Sequence, residues 1–94
     1  MTNRHQNTVA VITGGTQGLG LAVARRLAAE GAQGIVICGR SAERGRGAEA
    51  ELRGLGVECR YVQADMAQPE DCYRVVDAAL ESYGRVNVLV NSAA

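Results

Sequence analysis

A chain of 94 residues, 47% hydrophobic and 21% charged, is the size of one small domain or of a piece of a larger one, and its balance argues against disorder. Ten Arg offset ten Asp plus Glu, so the charge gives no ground for a nucleic-acid or acidic-membrane partner. With no Lys, Trp or Phe, the chain excludes any mechanism built on its own lysine amine and speaks against an aromatic platform for stacking bases.

Residues 1–7, MTNRHQN, form a polar tail without the apolar stretch of a signal peptide, and His5 within it reads as a surface histidine. His5–Ala24 is uncharged, but Thr13, Gly14, Gly15, Thr16 and Gln17 place a polar cluster in its middle that hydrocarbon does not accept. The expected location is the cytoplasm, with no membrane partner. TVAVIT (Thr8–Thr13) is a short β-branched run that stops at Gly14, as a buried strand does. From Gly18 to Glu30, Leu19, Val23 and Leu27 recur on one helical face, beside a small-residue stripe of Gly20, Ala24 and Ala28 that lets a helix approach a sheet. Gly31 supplies the C-terminal cap. IVIC (Ile35–Cys38) is the second apolar run. Ser41 can cap a helix to about Arg53, against the propensity cost of Gly45 and Gly47.

Val57–Gln63 alternates Val57, Cys59 and Tyr61 against Glu58, Arg60 and Val62, the pattern of a partly covered edge strand. Pro69 suits the first turn of a helix to Tyr83, with Cys72, Val75, Val76, Ala79, Leu80 and Tyr83 as its apolar stripe and Gly84 as its end. Asp71, Asp77, Glu81, Arg74 and Arg85 read as a solvated charged face, as does the mixture of Glu43, Arg44, Arg46, Glu49, Glu51 and Arg53 in the preceding helix. VNVLVN (Val86–Asn91) is the last strand and is as apolar as an interior one. Cys38, Cys59 and Cys72 lack a C-x-x-C spacing; a zinc site would need all three from separate elements, and plain buried or half-buried thiols are expected.

The order β-α-β-α-β-α-β predicts an α/β fold: a Rossmann-like open parallel sheet with right-handed crossovers and strand order 3-2-1-4. The apolar fourth strand makes this an incomplete half of a doubly wound fold, the N-terminal part of a single domain spanning 1–94.

Between the first strand and helix lies Thr13-Gly14-Gly15-Thr16-Gln17-Gly18-Leu19-Gly20. Its G-x-x-x-G-x-G spacing differs from G-x-G-x-x-G, since Val23 holds the last glycine position, and from the Walker loop, which needs a Lys. Glycines there permit a tight turn, close backbone approach to a pyrophosphate and helix–strand packing, and the helix N-terminus favours a phosphate. Many α/β proteins carry glycine-rich turns without a nucleotide; the position in the first βα turn favours binding here.

At this point the chain resembles the short-chain dehydrogenase/reductase family. TGGTQGLG fits that family's T-G-x-x-x-G-x-G signature. Asp65 with Met66 follows the third strand, where the family has an Asp and an apolar residue beside the adenine; a plain turn residue is the other reading of Asp65. Asn91-Ser92-Ala93-Ala94 lies where the family has N-N-A-G, with Asn91 and Ala93 in agreement and Ser92 and Ala94 departing. The resemblance runs from Thr8 to the end but covers only the first half of the family's domain. It implies cofactor contacts at Gly14, Thr16, Gln17, Gly18, Leu19, Gly20, Arg40, Ser41, Asp65, Met66, Asn91 and Ala93.

No acid lies between Gly31 and Ser41 to bind the ribose 2′-hydroxyl of NAD; Gly39 and Arg40 stand there instead. A guanidinium matches a 2′-phosphate, Ser41 adds a hydroxyl, and the expected cofactor is NADP(H) in preference to NAD(H). Gln17 lies where NADP-preferring members often carry a second basic residue, and a solvated surface Arg is the alternative for Arg40. The family's catalytic Ser and Y-x-x-x-K pair cannot exist in a chain without Lys: Tyr61, Tyr73 and Tyr83 precede Asp65, Asp77 and Asn87 by four, and Ser82 and Ser92 lie in the wrong segments.

Two readings follow. In the first, the chain is the cofactor-binding portion of an NADP(H)-dependent oxidoreductase acting on a small carbonyl or secondary alcohol, with no catalytic residue of its own. In the second, it is an inactive nucleotide-binding or association module that pairs its fourth strand with itself or another chain. An extended-type nucleotide-sugar enzyme is a third possibility, weakened because Gln68 breaks that group's D-x-x-D variant.

Overall fold

The computed structural model describes residues 6–92. Seven elements alternate along the chain: β1 (Val9–Thr13), α1 (Gly18–Ala29), β2 (Gly34–Gly39), α2 (Ala42–Gly54), β3 (Glu58–Gln63), α3 (Pro69–Tyr83) and β4 (Val88–Asn91). The strands form one sheet in the order β3-β2-β1-β4, all pairs parallel. This is the Rossmann-like arrangement the alternation predicts, and it is a partial one.

Strand side chains alternate between two cores. Ala10, Ile12, Ile35, Ile37 and Cys59 meet α1 and α2 through Leu21, Ala24, Ala28, Ala48 and Leu52. Val9, Val11, Val36, Cys38 and Val62 meet α3 through Val75, Ala78 and Ala79. β1 and β2 are therefore apolar at successive positions because both faces are covered.

Three sequence expectations change in detail. Leu19, assigned to the apolar stripe of α1, is 73% exposed. The sheet instead receives Gly20, Leu21, Ala24 and Ala28, because the smallest side chains bring the helix axis closest. Val76 and Leu80 of α3 are also exposed; α3 turns Val75, Ala78 and Ala79 inward, leaving its opposite flank uncovered among the described residues. Val62, grouped with the exposed Glu58 and Arg60, is buried under α3.

Gly45 was expected only to weaken α2, yet a Cβ there would overlap the ring of Tyr61, so its absence lets β3 and α2 close together. Cys38 and Cys59 are buried and Cys72 half-buried, as plain thiols. Burial pushes the Cys38 thiol up to about 11 and Cys59 to about 12, so both stay protonated at neutral pH and are unsuited to nucleophilic chemistry. No helix among the described residues is long and apolar enough to cross a membrane.

Candidate functional site

In an open parallel sheet the carboxyl ends of the strands frame the ligand crevice. Here they frame an open groove of about 900 Å³. Its walls come from the glycine loop (Gly14, Thr16, Gln17, Gly18), the end of β2 (Arg40, Ser41, with Arg44 one turn into α2) and the loop after β3 (Asp65, Met66).

The glycine loop leaves β1 through Gly14 at φ 72° and enters α1 through Gly18 at φ 57°, values that L side chains resist. The Gly14 N–H stays tied to the Cys38 carbonyl at 3.0 Å, which holds the turn against β2. Gly20 is needed for closeness: a Cβ there would overlap the Gly14 carbonyl and the Ser92 hydroxyl.

The two helices that start at this groove are finished differently. The Ser41 hydroxyl accepts the Arg44 N–H at 3.3 Å and caps α2. α1 begins at Gln17 with no side-chain cap and no acid in its first turn. Its first N–H groups, beginning with that of Gly18 in the groove lining, therefore have no side-chain cap among the described residues. Among the described residues no carboxylate forms an ion pair with Arg40 or Arg44. Uncapped N–H groups at one end and two unpaired guanidiniums at the other make a surface suited to an elongated, multiply phosphorylated ligand.

The strand ends are held in place by side chains. The Tyr61 hydroxyl donates to the Gly39 carbonyl at 2.7 Å, just before Arg40, and burial raises that phenol above its ordinary value. The Thr13 hydroxyl donates to Asn91 Oδ1 at 2.9 Å, joining the ends of β1 and β4. Ser92, which departs from the family's Asn at this place, donates its hydroxyl to the Thr13 carbonyl at 2.7 Å and lines the groove.

Of the residues singled out in the sequence, Gly14, Thr16, Gln17, Gly18, Arg40, Ser41, Asp65 and Met66 meet in the groove. Leu19, Gly20 and Asn91 stand outside its lining: Leu19 is exposed, Gly20 packs beneath the loop, and Asn91 serves the β1–β4 junction. Ala93 and His5 lie outside the described residues. Sequence reasoning missed Arg44 and Ser92 as groove residues. Arg44 was legible as one turn beyond Arg40, on the helix that Ser41 caps. Asp71 and Arg74 are solvent-accessible, as a charged face implies, and both also bind backbone beside the groove: Asp71 Oδ2 accepts the Asp65 N–H at 2.7 Å and Arg74 donates to the Gln63 carbonyl at 2.7 Å.

None of the tyrosines is placed for acid–base work in the groove. Tyr61 is committed to Gly39, Tyr73 is exposed on α3, and Tyr83 lies against Gly34 with its phenol pushed up to about 12 by burial.

The fold is an open parallel α/β sheet with a glycine-rich first βα turn, and residues 8–94 match the short chain dehydrogenase family. The chain belongs to that family. It is 44% identical over 92 residues to a granaticin polyketide synthase ketoacyl reductase of Streptomyces violaceoruber, a name given provisionally, covering 98% of this chain and 35% of the relative. It is 40% identical over 93 residues to the NADP-dependent (R)-specific alcohol dehydrogenase of Lentilactobacillus kefiri, covering 99% and 36%. The structure of L-sorbose reductase from Gluconobacter frateurii, complexed with NADPH and L-sorbose, superposes with a TM-score of 0.91 at 39% identity, covering 100% of this chain and 36% of that one. The chain thus spans about a third of the length of these relatives, less than the half that the motifs implied.

Proposed function

We propose that this chain is the cofactor-binding N-terminal portion of an NADP(H)-dependent short-chain oxidoreductase, whose complete polypeptide transfers hydride between nicotinamide and a small carbonyl compound or secondary alcohol in the cytoplasm. The observation that carries this reading is the groove itself, in which the uncapped start of α1 faces Arg40, Ser41 and Arg44. The loop N–H groups hold the pyrophosphate. Arg40 and Ser41 take the 2′-phosphate, and Arg44 supplies the second basic group that Gln17 does not. Asp65 and Met66 flank the adenine. Gly39 reinforces the preference, because a Cβ there would already press on the Thr16 side chain at 3.2 Å, and an acidic side chain would have to displace it.

When bound, the nicotinamide supplies or accepts the hydride. The acid that protonates the forming alkoxide is absent from these residues, since the chain has no Lys to pair with a Tyr. Arg40→Ala tests the assignment. It lowers NADPH affinity about 10- to 100-fold, the range of a lost hydrogen bond to a charged group, and leaves NADH affinity nearly unchanged. Equal losses for the two cofactors, measured by titration, would sink the preference for NADP(H).

A second reading has one observation in its favour. Leu89 on β4 is 66% exposed, with Val86 also open. A 94-residue chain that stands alone would use that edge to associate with a second copy, and would bind a nucleotide without reducing anything.

A further inference from the structure

The loop that carries Asp65 and Met66 is short. The sheet holds its start, through the Ala64 N–H on the Gly39 carbonyl at 3.1 Å and the Cys38 thiol against the Met66 sulfur at 3.7 Å, and α3 holds Asp65 itself. One oxygen of the Asp71 carboxylate accepts the Asp65 N–H at 2.7 Å. The other accepts from Arg74 Nη2 at 3.1 Å, and the same nitrogen donates to the Gln63 carbonyl at 2.7 Å. Asp65 Oδ1 turns back to accept the Ala67 N–H at 2.9 Å. The Gln63 side-chain amide, in turn, donates to the Arg40 carbonyl at 3.0 Å.

An acid in a first helical turn ordinarily answers the N–H groups of its own helix. Asp71 does not do this: it reaches six residues back along the chain, and Gln68, the N-cap of α3, makes no side-chain cap. The Asp65 N–H, followed by the Arg74 guanidinium, holds the Asp71 carboxyl below its ordinary range, so the clamp is charged at neutral pH. Asp71 and Arg74 share a smaller groove with Arg40, Gln63, Ala64 and Asp65, and of these Arg40, Ala64 and Asp65 also line the main groove.

We infer that Asp71, anchored by Arg74, is a positioning residue for the adenosine end of the cofactor site, fixing the Asp65–Met66 loop in the conformation that receives the adenine. The inference rests on the cofactor reading proposed above. It assigns Asp71 no contact with the cofactor. Because the clamp acts on the adenine loop, its loss falls equally on both forms of the cofactor. Arg40, by contrast, discriminates between them.

The test uses the complete polypeptide and three forms of it: unchanged, Asp71→Asn and Asp71→Ala. NADPH and NADH affinities are measured by titration, together with hydrogen exchange at the Asp65 amide in the cofactor-free protein. Asp71→Ala weakens both cofactors by about the same factor, roughly tenfold, and speeds exchange at Asp65. Asp71→Asn keeps an acceptor for the Asp65 N–H but loses the charge that holds Arg74, so it falls between the two. The inference is overturned if Asp71→Asn, the milder change to the fold, binds both cofactors as the unchanged protein does and leaves Asp65 exchange unaltered. A loss confined to NADPH also overturns it, by moving Asp71 to the phosphate. Failure of the unchanged protein to bind either cofactor overturns the cofactor reading, and this inference with it.

Discussion

The two edges of the sheet are built in opposite ways. Along β3, the backbone groups that turn away from β2 belong to alternate residues, and side chains of the chain's own helices take them up. Arg53 Nε of α2 donates to the Cys59 carbonyl at 2.9 Å, Glu49 accepts the Tyr61 N–H at 2.6 Å, and Arg74 of α3 donates to the Gln63 carbonyl. Along β4, side-chain hydrogen bonds among the described residues come from the β1 side: Thr13 bonds the Val90 carbonyl and Asn91, and the Asn87 side chain accepts the Val9 N–H just before the strand. Val88 and Val90 pack into the core under α1 and α2, but Leu89, level with Val11 on the α3 face, is left exposed. β3 is a finished edge, capped against pairing with another strand, and β4 is not.

The finished edge is also the side of the molecule that carries Arg40 and Asp65, so its caps bear on function as well as on solubility. Gly45→Ala attacks it most severely. The new methyl group overlaps the Tyr61 ring, which cannot move without releasing the Gly39 carbonyl. Overpacking of this kind, together with the lost hydrogen bond, costs about 3 kcal/mol in spite of alanine's better helix propensity. Gly47→Ala is the internal control. A Cβ at Gly47 meets nothing within 4 Å, and the change stabilises by about 0.5–1 kcal/mol. Denaturant unfolding of the two variants should move in opposite directions, and movement together would mean that Gly45 is not packed against Tyr61 as described.

Glu49→Ala comes next, at about 2 kcal/mol. It removes a charged acceptor from the Tyr61 N–H and leaves Arg53 without its i,i+4 partner at 3.6 Å. The edge it uncaps lies in mid-strand, so the variant should also gain concentration-dependent association that the parent chain lacks on that side. Unchanged midpoints in urea would mean that water replaces the carboxylate at no cost.

The difference between the edges also marks where the sequence is readable. The strand order was legible because β3 alternates and β1 and β2 do not, which is a direct record of how many faces are covered. The glycine loop was legible because its backbone geometry restricts those positions to few residue types; Arg40 was singled out by the missing acid after β2 and Asp65 by resemblance to the family, and all three line the groove. The caps were not. Glu49, Arg53, Asp71 and Arg74 have the composition of any solvated helix face, and only the crossing of α2 and α3 over β3 gives each a backbone partner. The same holds for Ser92, whose use depends on lying beside Thr13 across the β1–β4 pair.

The smallest change in stability is expected at the open edge. Leu89→Lys places a charge on a side chain that is already 66% exposed, so the 94-residue chain should unfold within about 0.5 kcal/mol of the parent. Its assembly should change far more. A lysine at the middle of an edge strand is the device by which sheets refuse further strands, and Leu89 carries the exposed apolar surface that β4 offers. If β4 is the unfinished edge, the parent chain sediments as dimers or larger species at micromolar concentration and Leu89→Lys sediments as a monomer. Should the lysine leave association untouched while Glu49→Ala increases it, the contrast inverts: β4 would be inert, and the caps on β3 would be what keeps the chain from associating.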